Sequence, residues 1–246
     1  MKLLISTIPN YSHVASLAIK SIHKANLGLK VRVVSHGNSL ALKKISEYIE
    51  IQKDFGWSKN ILIGINDLKN SDYIILTMDD LVVKSSPPAE IFKATIDYFI
   101  KKEYDAVNLY SPPSDRFSQS IRGDFAWASF FKNNKYPISC MFTLFNVGFL
   151  RKMLDINQNA WQFENSAKDK IARLEAEPKI MSLGFNLVNL SNLVIRGKNV
   201  SWRNNNKKLK GIKNMGLVDK IKHILKIYSA LIYRFEYKKF VKFMVN

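Results

Sequence analysis

The chain has 246 residues, 47% of them hydrophobic and 24% charged, with a formal net charge of +18. That composition is globular, neither disordered nor fibrous, and the length allows one large domain or two small ones. A single cysteine, Cys140, excludes an internal disulfide framework and a cysteine zinc cluster, and Lys, Arg or Asn interrupts every apolar run before it reaches membrane-spanning length.

The opening apolar run has no cleavage-type segment and predicts a first buried strand over residues 2–8, so a cytosolic protein is expected. Pro9-Asn10-Tyr11-Ser12 reads as a turn and helix start. Val14, Leu17, Ala18 and Ile22 then recur at helical spacing until Gly28. Residues 30–35 predict a second strand, 40–51 an amphipathic helix, and 59–69 a third helix after the Asp54–Ser58 loop. The run Tyr73-Ile-Ile-Leu-Thr-Met-Asp-Asp-Leu-Val-Val83 is the most informative stretch, a short apolar strand that delivers Asp79 and Asp80 side by side. Pro87-Pro88 opens a helix over 89–102. Strands are expected at 105–109 and 124–131, helices at 147–154 and 168–176, and a strand-like piece at 185–188. This alternation predicts an α/β fold, a mostly parallel sheet flanked by helices, with ligands beyond the carboxyl ends of its strands.

Three constellations can carry chemistry. Adjacent aspartates at a strand end repel each other unless a cation or ligand hydroxyls lie between them, and Mg²⁺ or Mn²⁺ favours such oxygen ligands. The plainer alternative is that they cap a turn. In Trp161-Gln162-Phe163-Glu164, aromatic walls around a carboxylate raise its pKa towards the range of a general base, and aromatic faces suit sugar rings. The alternative is a helix start with core-packed rings and a solvated glutamate. Asn192-Leu-Val-Ile-Arg196-Gly197-Lys198 can set two cations against phosphate oxygens, or can be a basic turn. The four histidines have no metal-ligand spacing, and there is neither a phosphate-cradling P-loop nor a nucleophile elbow.

Taken together and in order, Ser6-Thr7-Ile8, Gly56-Trp57-Ser58, Met78-Asp79-Asp80, Trp161 to Glu164 and Asn192 to Lys198 resemble the GT-A class of nucleotide-sugar glycosyltransferases of the bacterial surface-polysaccharide type. The resemblance covers roughly residues 1–203. It implies a Rossmann-like catalytic domain over 1–205 and a sugar donor carried on a nucleoside diphosphate. Thr7, Ile8 and Pro9 would line the base and ribose, with Trp57 beside the donor. Asp80 would bind a divalent cation, with Asp79 on the ribose or the same ion. Arg196 and Lys198 would face the diphosphate, and Glu164 would be the catalytic base of an inverting reaction. Trp161 and Phe163 would meet the acceptor, a glycan or lipid-linked hydroxyl. Met78 stands where the family's Asp-x-Asp has its first acid.

Residues 207–246 carry a net charge of +9, half of the whole excess. Leu217, Ile221, Ile224, Leu225, Tyr228, Leu231, Ile232 and Phe235 recur at helical intervals, so residues 206–246 predict basic amphipathic helices. They can lie on an anionic membrane surface, each basic residue contributing about 1 kcal/mol, or pack on the catalytic domain. That would make the protein peripheral on the inner face of the cell membrane. Two other readings follow from the same residues: a basic nucleic-acid-binding protein, disfavoured because no reader motif is present, and a nucleotidyltransferase using the same aspartates.

Overall fold

A computed structural model describes residues 1–110, 128–129, 137–183, 186–195, 198–199 and 213–214, the backbone alone at 128–129, 195, 198–199 and 213–214. The first half alternates strand and helix: β1 (Lys2–Ser6), α1 (Ser12–Ala25), β2 (Lys30–His36), the single turn α2 (Leu40–Lys43), β3 (Glu47–Ile51), α3 (Trp57–Gly64), β4 (Tyr73–Thr77), β5 (Leu81–Ser85) and α4 (Ala89–Lys101). The remainder runs β6 (Ala106–Asn108), β7 (Ala128–Ser129), β8 (Thr143–Asn146), α5 (Val147–Met153), α6 (Ala160–Ala172), β9 (Ile180–Leu183), β10 (Asn189–Asn192), β11 (Val194–Ile195), β12 (Lys198–Asn199) and β13 (Lys213–Asn214).

Eight strands form one sheet in the order β3-β2-β1-β4-β8-β6-β9-β7. The pairs β3–β2, β2–β1, β1–β4 and β6–β9 are parallel, while β8 runs antiparallel between β4 and β6. A mostly parallel sheet needs both faces covered, which is why its central strands β1 and β4 read as short apolar runs. In β1, Leu3 and Ile5 join one core with α1 and α4, and Leu4 joins the other with α3, α5 and α6. The buried stripe of α1 is Val14, Ala15, Ala18, Ile19 and Ile22. Its end comes at Asn26, left-handed at φ 50°, two residues before the expected Gly28. Gly64 lets α3 lie close on the sheet: a Cβ there would stand 2.7 Å from a Leu4 methyl and 2.8 Å from a Val34 methyl.

Residues 40–51 are not one helix. After a single turn the chain becomes the edge strand β3, because in its register Glu47 lies opposite Arg32. Arg32 is 1% exposed and donates to Glu47, to both oxygens of Asp67 and to the Gly64 carbonyl. These partners push the guanidinium pKa up, and Asp67 and Glu47 are held below the usual carboxylate range by Arg32. Of the strand-like piece expected at 185–188, residues 186–188 are not a strand, and β9 and β10 lie on either side of it. The proposed segment 206–246 lies outside the described residues apart from the backbone of 213–214. No helix among the described residues is long and apolar enough to cross a membrane.

Candidate functional site

The parallel strands β1, β2 and β4 finish at one edge, at Ser6, His36 and Thr77. Thr7 extends β1 by one bond, its N–H donating to the Val34 carbonyl at 3.0 Å. Among the described residues, the Thr77 hydroxyl and His36 Nδ1 are buried at this edge without a hydrogen-bond partner. Buried polar atoms are rarely left unpaired, so such an edge suits a polar ligand. Beyond Thr77, Met78 packs against both cores and closes the end of β4. Asp79 and Asp80 follow in a turn, and Leu81 at once begins β5, which pairs with β10 in a separate two-stranded sheet. The doublet therefore stands where the chain passes from one sheet to the other.

Both aspartates are tethered, Asp79 through its side chain and Asp80 through its main chain. The Thr7 hydroxyl donates to Oδ2 of Asp79 at 2.6 Å. The Leu193 N–H donates to the Asp80 carbonyl at 2.7 Å. Burial raises the Asp79 pKa, with the Thr7 bond acting against it. Asp80 is pushed up to about 7, first by burial and then by the negative charge of Asp79. Two crowded carboxylates that resist full ionisation are suited to a cation. No cluster of three or more His, Cys, Asp or Glu side chains occurs among the described residues. The pair fits the habit of Mg²⁺ and Mn²⁺, which take one or two carboxylates and complete their shell with phosphate and water.

Glu164 lies inside α6, not at its start. Asn159 caps this helix, accepting from the Gln162 N–H while the Gln162 side chain accepts from the Asn159 N–H. Oε1 of Glu164 accepts from the Cys140 N–H at 2.6 Å and the Ser139 hydroxyl at 2.9 Å. The segment presenting those donors hangs on Asn108, the last residue of β6. Its amide donates to the Pro137 carbonyl and Ser182 hydroxyl and accepts from the Ser139 N–H and Thr143 hydroxyl. Sheet register relates the two carboxylate groups. Leu76 of β4 lies opposite Thr143 of β8; Asp79 is three residues beyond Leu76, and Cys140 three before Thr143. The aspartate doublet and the anchor of Glu164 thus leave adjacent strands at the same edge. Burial, with Glu164 nearby, pushes the Cys140 thiol up, and it remains a small buried hydrophobe.

The two aromatics beside Glu164 part company. Phe163 is fully buried, 5.4 Å from Trp57 and 6.4 Å from Phe145 between ring centroids, and so offers no surface to an acceptor. The reason is helical phase: Phe163, Ala167 and Ile171 form the buried stripe of α6. Trp161 is 68% exposed, one turn ahead of Glu164. Trp57 is half-buried on Phe163 at the start of α3, where the Ser58 N–H donates to the Gln158 carbonyl and ties α3 to the approach of α6. Ile8 and Pro9 follow Thr7 in a turn closed by the Tyr11 N–H on the Ile8 carbonyl, with Pro9 exposed. Arg196 lies outside the described residues, and of Lys198 only the backbone, in β12, is described. Sequence reasoning gave no role to Asn108 or Ser139. The visible signal for Asn108 is a polar residue ending a buried apolar strand.

No known protein family's sequence profile matches this chain, and no curated protein matches it. Its fold is shared by a solved structure. A mannosyltransferase from Pyrobaculum calidifontis, solved with GDP-Man and Mn²⁺, superposes with a TM-score of 0.52 at 13% identity over 82% of this chain. The galactosyltransferase LgtC, solved with donor and acceptor sugar analogues, gives 0.43 at 15% identity over 69%. The UTP-bound UGPase of Acinetobacter baumannii gives 0.46 at 8% identity over 78%. The matched regions span 59%, 66% and 88% of those three chains. The architecture is GT-A-like, an α/β fold with a mostly parallel sheet flanked by helices.

Proposed function

We propose that this protein is a glycosyltransferase that moves a sugar from a nucleoside-diphosphate donor to a hydroxyl of a glycan or lipid-linked acceptor, in the assembly of a surface polysaccharide. The observation that carries the reading is the tethered pair Asp79 and Asp80 at the carboxyl edge of a GT-A-like sheet. Ligands of open α/β sheets bind at that edge. In this reading Thr7, Ile8 and Pro9 line the base and ribose, and Trp57 borders them. Asp79 accepts from the ribose hydroxyls, and a divalent cation held by Asp80 with Asp79 neutralises charge on the diphosphate when bound. Arg196 and Lys198 add positive charge to the same group.

Glu164 takes the acceptor proton. The acceptor oxygen then bonds to the anomeric carbon as the bond to the diphosphate breaks, and the centre inverts. Anchoring of its Oε1 by two donors fixes the direction of the carboxylate before the acceptor arrives. The exposed ring of Trp161, one turn away, offers a flat face to an acceptor sugar.

The test is incubation of the full chain with a panel of nucleotide sugars and glycan or glycolipid acceptors, with Mn²⁺ or with EDTA. Release of free nucleoside diphosphate together with an elongated acceptor is the expected product pattern. Pyrophosphate release would make the protein a nucleotidyltransferase and end the glycosyl-transfer reading.

A further inference from the structure

Asn108 closes β6, is 2% exposed, and fills the whole capacity of its side-chain amide. Nδ2 donates to the Pro137 carbonyl at 3.1 Å and to the Ser182 hydroxyl at 2.6 Å. Oδ1 accepts from the Ser139 N–H at 3.2 Å and from the Thr143 hydroxyl at 3.0 Å. An amide has two N–H donors and two lone pairs, so nothing is left over. A proline carbonyl can only accept and a backbone N–H can only donate, so these two partners permit one orientation of the amide.

The four partners divide by place. Thr143 of β8 and Ser182 of β9 lie opposite Asn108 in the register, one on each side, and their hydroxyls fix its side chain to the sheet. Pro137 and Ser139 belong to the segment before β8 and flank Ile138. A carbonyl before Ile138 and an N–H after it are what the main chain of a neighbouring strand would satisfy. Here a single side chain does so, and it binds a stretch without strand structure to the buried end of the sheet.

That stretch carries both donors to Glu164. The Ser139 hydroxyl and the Cys140 N–H reach the same oxygen, Oε1, at 2.9 and 2.6 Å. The Ser139 oxygen also accepts from the Met141 N–H at 3.1 Å, which constrains the hydroxyl. Ile138 and Cys140, on either side of Ser139, are buried in the same core as Phe163 of α6. A continuous chain of bonds therefore runs from the sheet through Asn108 and Ser139 to Glu164.

The residue type matters as much as its place. Aspartate could accept the same two bonds, but it donates none and would bury a charge. Leucine would fill the space and leave the Ser139 N–H and Pro137 carbonyl without this partner. Resting on the glycosyltransferase reading, we propose that Asn108 is a positioning residue of the base: it holds the Ser139–Cys140 segment and through it fixes the Glu164 carboxylate for the acceptor hydroxyl.

The full chain is assayed with UDP- and GDP-linked hexoses, MnCl₂ and the glycan or glycolipid acceptors. Asn108→Asp is expected to lower the single-turnover rate about tenfold or more, the scale of a displaced catalytic group, with GDP and UDP affinity by calorimetry nearly unchanged. Ser139→Ala removes one donor and leaves the main-chain bonds in place. It is expected to show a similar loss, and it answers the question if the Asn108 variant does not fold. In a Glu164→Gln background neither change is expected to lower the rate further, because a group acting only through Glu164 has nothing left to position. Wild-type turnover in the variants, an equal further loss in the Glu164→Gln background, or a matching loss of nucleotide affinity overturns the positioning role alone. Failure of the wild-type chain to transfer sugar from any donor sinks the glycosyltransferase reading, and this proposal with it.

Discussion

The hydroxyl of Thr7 reaches across 72 residues of sequence to donate to Oδ2 of Asp79 at 2.6 Å. That bond joins the end of the first strand to the acidic turn after the fourth, and it acts against the burial that raises the Asp79 pKa. A hydrogen bond to a charged group contributes roughly 1.5–3 kcal/mol. Thr7→Val should weaken Mn²⁺-dependent nucleotide binding about tenfold, while Thr7→Ser retains it. Calorimetry on the two variants checks this; wild-type affinity in Thr7→Val with loss in Thr7→Ser would mean that the methyl group, not the hydroxyl, is what matters.

Glu164→Gln is expected to lower turnover by about 10²-fold or more with donor binding nearly unchanged. Single-turnover rates measured beside nucleotide affinity separate the two effects. Glu164→Ala should in addition lose roughly 1–3 kcal/mol of stability, because the buried Cys140 N–H is left without its acceptor. A glutamine variant with full turnover would remove Glu164 from the chemistry.

The Asp80 carboxyl, pushed up to about 7, makes both binding and stability depend on pH. Cation binding needs the ionised form, so Mn²⁺-dependent nucleotide affinity should rise with pH and level off above about 7. Stability has the opposite sign. The folded chain holds a proton at Asp80 that the unfolded chain has released above its ordinary value of 3.8, so this group's contribution falls as pH rises between those values. Asp80→Asn removes the fall. Its gain in melting temperature over wild type should grow from about pH 4 to 7 and stay level beyond, while its Mn²⁺ affinity is lost. A gain independent of pH would mean the carboxyl is not held in its neutral form.

At the opposite edge of the sheet, Arg32 should matter for stability and not for binding. Arg32→Ala is expected to cost about 3 kcal/mol, removing the buried member of a network that includes Asp67 and Glu47. Arg32→Lys should recover little, since an ammonium cannot donate in parallel to both oxygens of Asp67. Urea unfolding gives the first quantity, and nucleotide affinity at a temperature where the variant is folded gives the second.

Residues 206–246 carry the membrane proposal. Full-length protein should co-sediment with vesicles containing anionic lipid, and a version ending at residue 206 should not. Recovery should fall with added salt. Equal pelleting of both versions would end that part of the reading.

Much of the sheet was readable because its strands are buried on both faces. β1 and β4 are short apolar runs, β2 is one broken only by Arg32 before its polar end, and α1 and α4 carry apolar stripes of helical period. The acidic turn was legible for the same reason, as the point where the apolar run of β4 stops. Residues 40–51 were misread because the strand over Glu47–Ile51 is selected by the buried Arg32 and its need for an acid opposite, a pairing that local periodicity does not express. Phe163 was misplaced for want of a helix start: Asn159 with Gln162 three residues later is a capping signature, and it fixes the phase that turns Phe163 inward. The bond on the Asp80 carbonyl comes from Leu193, more than a hundred residues away, and only the folded register of β10 brings the two together.

That separation has a consequence for how the protein is made. A growing polypeptide that has emerged as far as the acidic turn already contains Asp79 and Asp80, yet Leu193 is still to be synthesised. Until the ribosome has released that later strand, the turn lacks its outer bond, and a sugar nucleotide would meet a half-finished cradle.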